Sequence, residues 1–103
     1  MHERSEDWWQ KTWGLAQTTG TLGGIERDLG NDDLALDLLR KSAVLARDAG
    51  VAWWQAGMLA ELGALSLRTG RLEEAGSQAR QALTLAEQTR DRPGRVFGVG
   101  LLA

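Results

Sequence analysis

The chain has no cysteine and no tyrosine, and only one histidine, one proline and one phenylalanine. Without cysteine there can be neither a disulfide nor a thiolate metal site, which fits a reducing cytoplasm. His2 is the only histidine, so Ser5, Ser42, Ser66 and Ser77 have no imidazole to activate them as nucleophiles. Asp32, Asp33 and Asp37 fall at an expected helix start, as do Glu73 and Glu74, where capping and the helix dipole account for them. Gly20-Thr21-Leu22-Gly23-Gly24 lacks the lysine of a phosphate-binding loop. No catalytic residue, metal or cofactor is therefore expected, and the chain reads as a non-enzyme. Also lacking is any apolar run near the roughly 20 residues that span a bilayer. Met1 to Gln10 is polar and acidic with no apolar h-region, so neither membrane insertion nor secretion is expected. The 12 basic and 14 acidic residues are interspersed, and the one basic cluster (Arg90, Arg92, Arg95) encloses Asp91. No basic face for nucleic acid results.

What is present is an ordinary globular composition, 43% apolar and 25% charged, over 103 residues. The 13 glycines against one proline point to glycine at helix ends and at close helix contacts. Shifted by 40 positions, Thr12–Val51 falls on Ala52–Asp91 without a gap, with nine identities. Trp13 meets Trp53, Ala16 meets Ala56, and Leu22-Gly23 meets Leu62-Gly63. Gly30 meets Gly70, Ala35 meets Ala75, Arg40 meets Arg80, and Leu45-Ala46 meets Leu85-Ala86. The matches sit at turns and at helical spacing, the signature of a repeat built from one supersecondary unit.

Each unit reads as two helices. In the first, a helix over 7–29 ends at Gly30, Asn31-Asp32-Asp33 offers cap oxygens, and a second helix carries Leu34, Ala35, Leu38, Leu39, Ser42, Leu45, Ala46 and Ala49 before stopping at Gly50. In the second, a helix over 51–69 carries Met58, Leu59, Leu62 and Leu65, Gly70 supplies the left-handed terminator, and a helix over 71–90 presents Leu72, Ala75, Ala79, Ala82, Leu83 and Ala86 as its expected buried stripe. Pro93 suits the first turn of a fifth helix. The expected fold is thus all-α, with about five helices in antiparallel helix-turn-helix repeats. Residues 1–11 form a tail and cap, 12–51 and 52–91 two repeats, and 92–103 the first helix of a partial third. Leu102 occupies the register of Leu22 and Leu62, so the chain is expected to be a fragment of a longer protein.

The Leu-Gly pairs (Leu22-Gly23, Leu62-Gly63), the turn glycines (Gly30, Gly70), the early alanines (Ala35, Ala75) and the later small residues (Ser42, Ala82) resemble the tetratricopeptide repeat. Gly-Arg-Leu-Glu-Glu-Ala at 70–75 is the most typical stretch. The resemblance covers residues 12–103 and departs in its 40-residue period, in Glu26 and Ser66 where an aromatic is usual, and in the missing closing proline. Units of this length look like those in the C-terminal arms of bacterial signal-transduction ATPases and transcriptional regulators.

That resemblance implies an α-solenoid fragment that scaffolds protein–protein interaction, with the first helices lining a concave groove. Carried over through the Leu-Gly register, the groove positions are Gln17, Gly20, Gly24 and Arg27, then Gly57, Ala60, Ala64 and Leu67. Trp13 and Trp53 stand one turn back. The expected partner is a protein or peptide, such as an amphipathic helix. The alternative is a sensor of a small inducer or signalling peptide for an attached ATPase or DNA-binding domain. The tryptophans also have a packing role open to them, and Trp8 and Trp9 are expected to cap the first apolar face. Phe97, Val99, Leu101 and Leu102 would leave an apolar edge, from which a homodimer through the terminal helix is expected.

Overall fold

The computed structural model describes residues 2–90, with side chains from residue 7. Four helices follow one another: α1 (His2–Asp28), α2 (Asp32–Ala49), α3 (Ala52–Arg68) and α4 (Leu72–Arg90). Among the described residues there is no strand, and the fold class is all-α as expected. No helix among them is long and apolar enough to cross a membrane. The expected fifth helix lies outside the described residues. α1 begins at His2, five residues ahead of the expected start at Asp7.

The three connections share one chemistry. Gly30, Gly50 and Gly70 have φ of 88°, 78° and 84°, a left-handed conformation that costs glycine nothing. At each, the following residue's N–H reaches back five residues: Asn31 to Glu26, Val51 to Ala46, Arg71 to Ser66. The glycine N–H bonds three residues back, to Arg27, Arg47 and Leu67. This double bond closes the orphan carbonyls of a helix end and reverses the chain. Such short connections fold α1 against α2 and α3 against α4, and α2 packs in turn on α3. Asn31 does not cap α2 as expected: its side-chain amide donates instead to Glu26 Oε1 at 2.6 Å, and no side chain caps that terminus.

One buried cluster joins the pairs: Ala35, Leu36, Leu39 and Ala43 of α2, Leu59, Leu62 and Leu65 of α3, and Ala82 of α4. Met58 and Leu85 pack at its edge. The expected α2 stripe missed Leu36 and Ala43, which are buried, and included Leu34, which is exposed. In α4 the correction is larger. Ala75 and Ala82 are buried as expected, but Leu72, Ala79, Leu83 and Ala86 are exposed. The inward face of α4 is instead Ala75, Gln78, Ala82, Leu85 and Thr89, one step around the helix. Both stripes have helical spacing; they differ in which has a neighbour to pack against.

α1 is apolar on two sides. Its inward face is small: Thr12, Ala16, Gly20 and Gly23 are buried. Its large side chains point away, with Trp8, Leu15, Leu22, Ile25 and Leu29 all exposed. Small residues bring backbones together: a β-carbon on Gly23 would lie 3.0 Å from Leu39.

Candidate interaction surface

The ten expected groove residues divide by heptad position. Trp13, Gly20 and Arg27, seven residues apart, are taken up by contacts with α3. Trp13 stands edge-on to Trp53 and Trp54, with ring centroids 5.8 and 5.4 Å away. Trp53 and Trp54 meet each other at 5.8 Å. A β-carbon on Gly20 would fall 2.7 Å from Ser42 Oγ, 2.9 Å from Met58 Sδ and 3.0 Å from Trp54 Cζ2. Arg27 forms an ion pair with Glu61 across the helices. Gln17 is exposed and Gly24 half-buried, with only the Arg27 side chain near it.

The equivalent positions of α3 are more open: apart from the ring contacts of Trp53 with Trp13 and Trp54, they stay uncovered among the described residues. Trp53, Gly57, Ala60, Ala64 and Leu67 are all exposed, Trp53 to 65% and Leu67 to 61%. Together with Leu72, Gly76 and Ala79 of α4, the α3 residues Ala60, Ala64 and Leu67 line an apolar depression of about 500 Å³. Its floor is tight because Gly63 lets α4 approach: a β-carbon there would sit 3.5 Å from the Ala75 carbonyl and the Ala79 nitrogen.

A second cleft, of about 350 Å³, lies along α3 and α4. Around Leu59 and Leu85 it gathers Gln55, Ser77, Arg80, Gln81, Thr84 and Gln88, a polar set that sequence reasoning missed. Periodicity could have found it, since Ser77, Gln81, Thr84 and Gln88 recur at steps of three and four residues. The outward stripe of α1 was missed too, although Leu15, Leu22 and Leu29 repeat every seven residues with Ile25 between them.

Polar contacts inside the fold tie helices together. Trp54 Nε1 donates to Ser42 Oγ at 2.8 Å, and Ser42 donates to the Ala16 carbonyl at 2.6 Å. The Ser66 hydroxyl and the Gln78 amide hydrogen-bond at 2.8 Å. The Trp9 indole N–H donates to the Ala49 carbonyl, so Trp9 fastens α1 to the end of α2, whereas Trp8 is exposed. Arg68–Asp32 at 2.8 Å and Arg71–Asp33 at 3.4 Å bind the end of α3 and the following turn to the start of α2. No group of three or more potential metal ligands occurs among the described residues. Phe97, Val99, Leu101 and Leu102, the expected self-association residues, lie outside the described residues. Comparison with protein-family models, with curated proteins and with solved structures gives no significant match.

Proposed function

We propose that this chain is a protein–protein interaction scaffold, a tetratricopeptide-like fragment of a larger bacterial regulatory protein acting in the cytoplasm. The observation that carries the reading is the apolar surface of α3 and α4. Trp53, Leu67, Leu72 and Leu83 are each more than half exposed, and the alanines between them let a partner backbone approach. Contiguous apolar surface of this kind marks an association site, and a small-residue depression flanked by large anchors suits an amphipathic helix. The test is selection of helical peptides on the immobilised protein, followed by competition with Ala64→Arg. Peptides that bind saturably and are lost on that substitution support the reading. Peptides that bind the variant equally well would place the interaction elsewhere.

The polar cleft favours a second reading, a sensor of a small inducer or signalling peptide for an attached ATPase or DNA-binding domain. Convergent polar groups over a small apolar floor are what a small-ligand site needs, and Gln55, Arg80, Gln81 and Gln88 around Leu59 and Leu85 supply them. A ligand that raises the melting temperature of the wild type but not of Arg80→Ala would favour this reading over the first.

A further inference from the structure

The 40-residue register sets Arg80 of α4 where α2 has Arg40, and the two arginines keep different company. Arg40 pairs with Asp37 on its own helix at 3.3 Å and with Glu74 of α4 at 3.8 Å. Arg27, Arg47, Arg68 and Arg71 also hold carboxylates, whereas Arg80 holds none among the described residues. An acid on the same helix would reach it from three or four residues away, and those positions are Gly76, Ser77, Leu83 and Thr84. Glu73 and Glu87 stand two turns off, roughly 10 Å along the axis.

Arg80 is also the one charged residue among those lining the cleft of about 350 Å³ along α3 and α4. Its guanidinium lies back against the helix where Gly76 leaves room: a β-carbon there would come within 3.3 Å of Arg80 Nη1. The rest of the lining changes character together with the lost partner. Gln55, Ser77, Gln81, Thr84 and Gln88 stand where the first helix pair has Leu15, Asp37, Lys41, Val44 and Asp48. Charged and apolar side chains have given way to neutral groups that both donate and accept hydrogen bonds. Solvation alone gives no reason to remove those charges. Gln81 Nε2 donates to Ser77 Oγ at 3.0 Å, which leaves the Ser77 proton available as a donor one turn before Arg80. A further helix pair seated on α4 would not close this cleft. α3 packs on α2, yet the α2 counterparts Asp37, Lys41, Val44 and Asp48 are all exposed.

We propose that this cleft binds a carboxylate joined to an apolar group, with Arg80 taking the carboxylate and Leu59 and Leu85 the apolar part. The proposal rests on the sensor reading of the cleft and names its class of ligand. A guanidinium presents parallel N–H donors that match the two oxygens of a carboxylate, and one arginine balances one negative charge. A phosphate dianion would keep uncompensated charge, since no second cation lines the cleft. The hydroxyls of Ser77 and Thr84, one turn on either side of Arg80, supply further donors to the same anion. Gln55 and Gln88 answer amide or hydroxyl groups between the charge and the apolar part. The cleft is at the small end of the range for ligand sites, about 300–1,000 Å³. Its ligand is therefore a small organic acid, or one acidic side chain of a peptide with an apolar neighbour.

The test is a two-dimensional NMR titration of the full chain, following the Arg80 Nε–H and the side-chain amides of Gln55, Gln81 and Gln88. The probes are N-acetylleucine, its uncharged relative N-acetylleucinamide, and the capped dipeptide acetyl-Leu-Glu-amide. At least one of the two acids should shift these signals saturably and bind at least about tenfold more tightly than the neutral amide. Added salt should weaken the acid and leave the neutral amide unchanged. Arg80→Gln, at an exposed position, should erase the tenfold preference while the backbone spectrum shows the helices intact. Arg80→Lys keeps the charge without the paired donors and should retain only part of the preference. Tighter binding of N-acetylleucine identifies a free organic acid as the source, and tighter binding of the dipeptide an acidic side chain; either supports the inference.

Three results would overturn it. A neutral amide that binds as tightly as both acids would remove the carboxylate and leave the sensor reading standing. A preference for acids that survives Arg80→Gln would place the anion on another cation. No shift of the cleft's side-chain amides with any probe would remove the inference and the sensor reading together, and would leave the scaffold reading untouched.

Discussion

The indole N–H of Trp54 on α3 donates to the hydroxyl of Ser42 on α2 at 2.8 Å, and Ser42 is wholly buried. Because the Ser42 hydroxyl in turn donates a hydrogen bond to the Ala16 carbonyl at 2.6 Å, one hydroxyl links three helices. Ser42→Ala removes both bonds and leaves the Trp54 donor without this partner. A cost of about 1–3 kcal/mol follows for a group stranded in this way, which for a domain of this size lowers the melting temperature by several degrees. Trp54→Phe tests the same link from the other side, and in a double-mutant cycle the two losses should be smaller together than their sum.

Two glycines of α1 should respond to alanine with opposite signs. Glycine in a helix interior costs about 1 kcal/mol relative to alanine. At Gly14 a β-carbon meets nothing within 4 Å, so Gly14→Ala should recover about that much stability. At Gly20 the same atom would lie 2.7 Å from Ser42 Oγ and 2.9 Å from Met58 Sδ. Gly20→Ala should therefore destabilise, since making room pushes on the hydroxyl that links the three helices. Urea unfolding followed by tryptophan fluorescence reads both changes.

The helices and their ends were legible because local rules decide them. Gly30, Gly50 and Gly70 took the left-handed turn conformation, and the helix boundaries between them fell within a residue or two of expectation. Which stripe faced inward was harder. Leu72, Leu83, Ala79 and Ala86 have as good a helical spacing as Ala75, Gln78, Ala82, Leu85 and Thr89, and hydrophobicity alone favoured the leucines. The inward stripe won because close packing of α4 on Gly63 admits small residues, and because Gln78 finds Ser66 as a partner. The groove assignment mixed two kinds of position for a related reason. A family register places Trp13, Gln17, Gly20, Gly24 and Arg27 on one side of α1, but it does not say how far α3 reaches across them. Contacts between sequence-distant side chains, such as Arg27 with Glu61, decide that.

The Arg27–Glu61 pair links α1 to α3 at a partly exposed seam, with the side chains 28% and 40% exposed. Water and salt screen charges at that exposure, so the coupling free energy from a cycle of Arg27→Ala and Glu61→Ala should be below about 1 kcal/mol. It should shrink further in molar salt. A coupling of several kcal/mol, insensitive to salt, would mean the pair is shielded from water.

Leu36 and Leu83 both belong to apolar stripes of second helices, yet their truncation should differ sharply. Leu36 is 1% exposed, within the cluster that joins α2, α3 and α4. Leu36→Ala leaves a cavity where the two helix pairs meet, at about 2–5 kcal/mol, a large share of the stability of a small domain. Leu83 is 60% exposed. In dilute protein Leu83→Ala should change stability by less than about 0.5 kcal/mol. Chemical denaturation followed by tryptophan fluorescence reads both changes, and a loss at Leu83 as large as that at Leu36 would place Leu83 inside a packed contact.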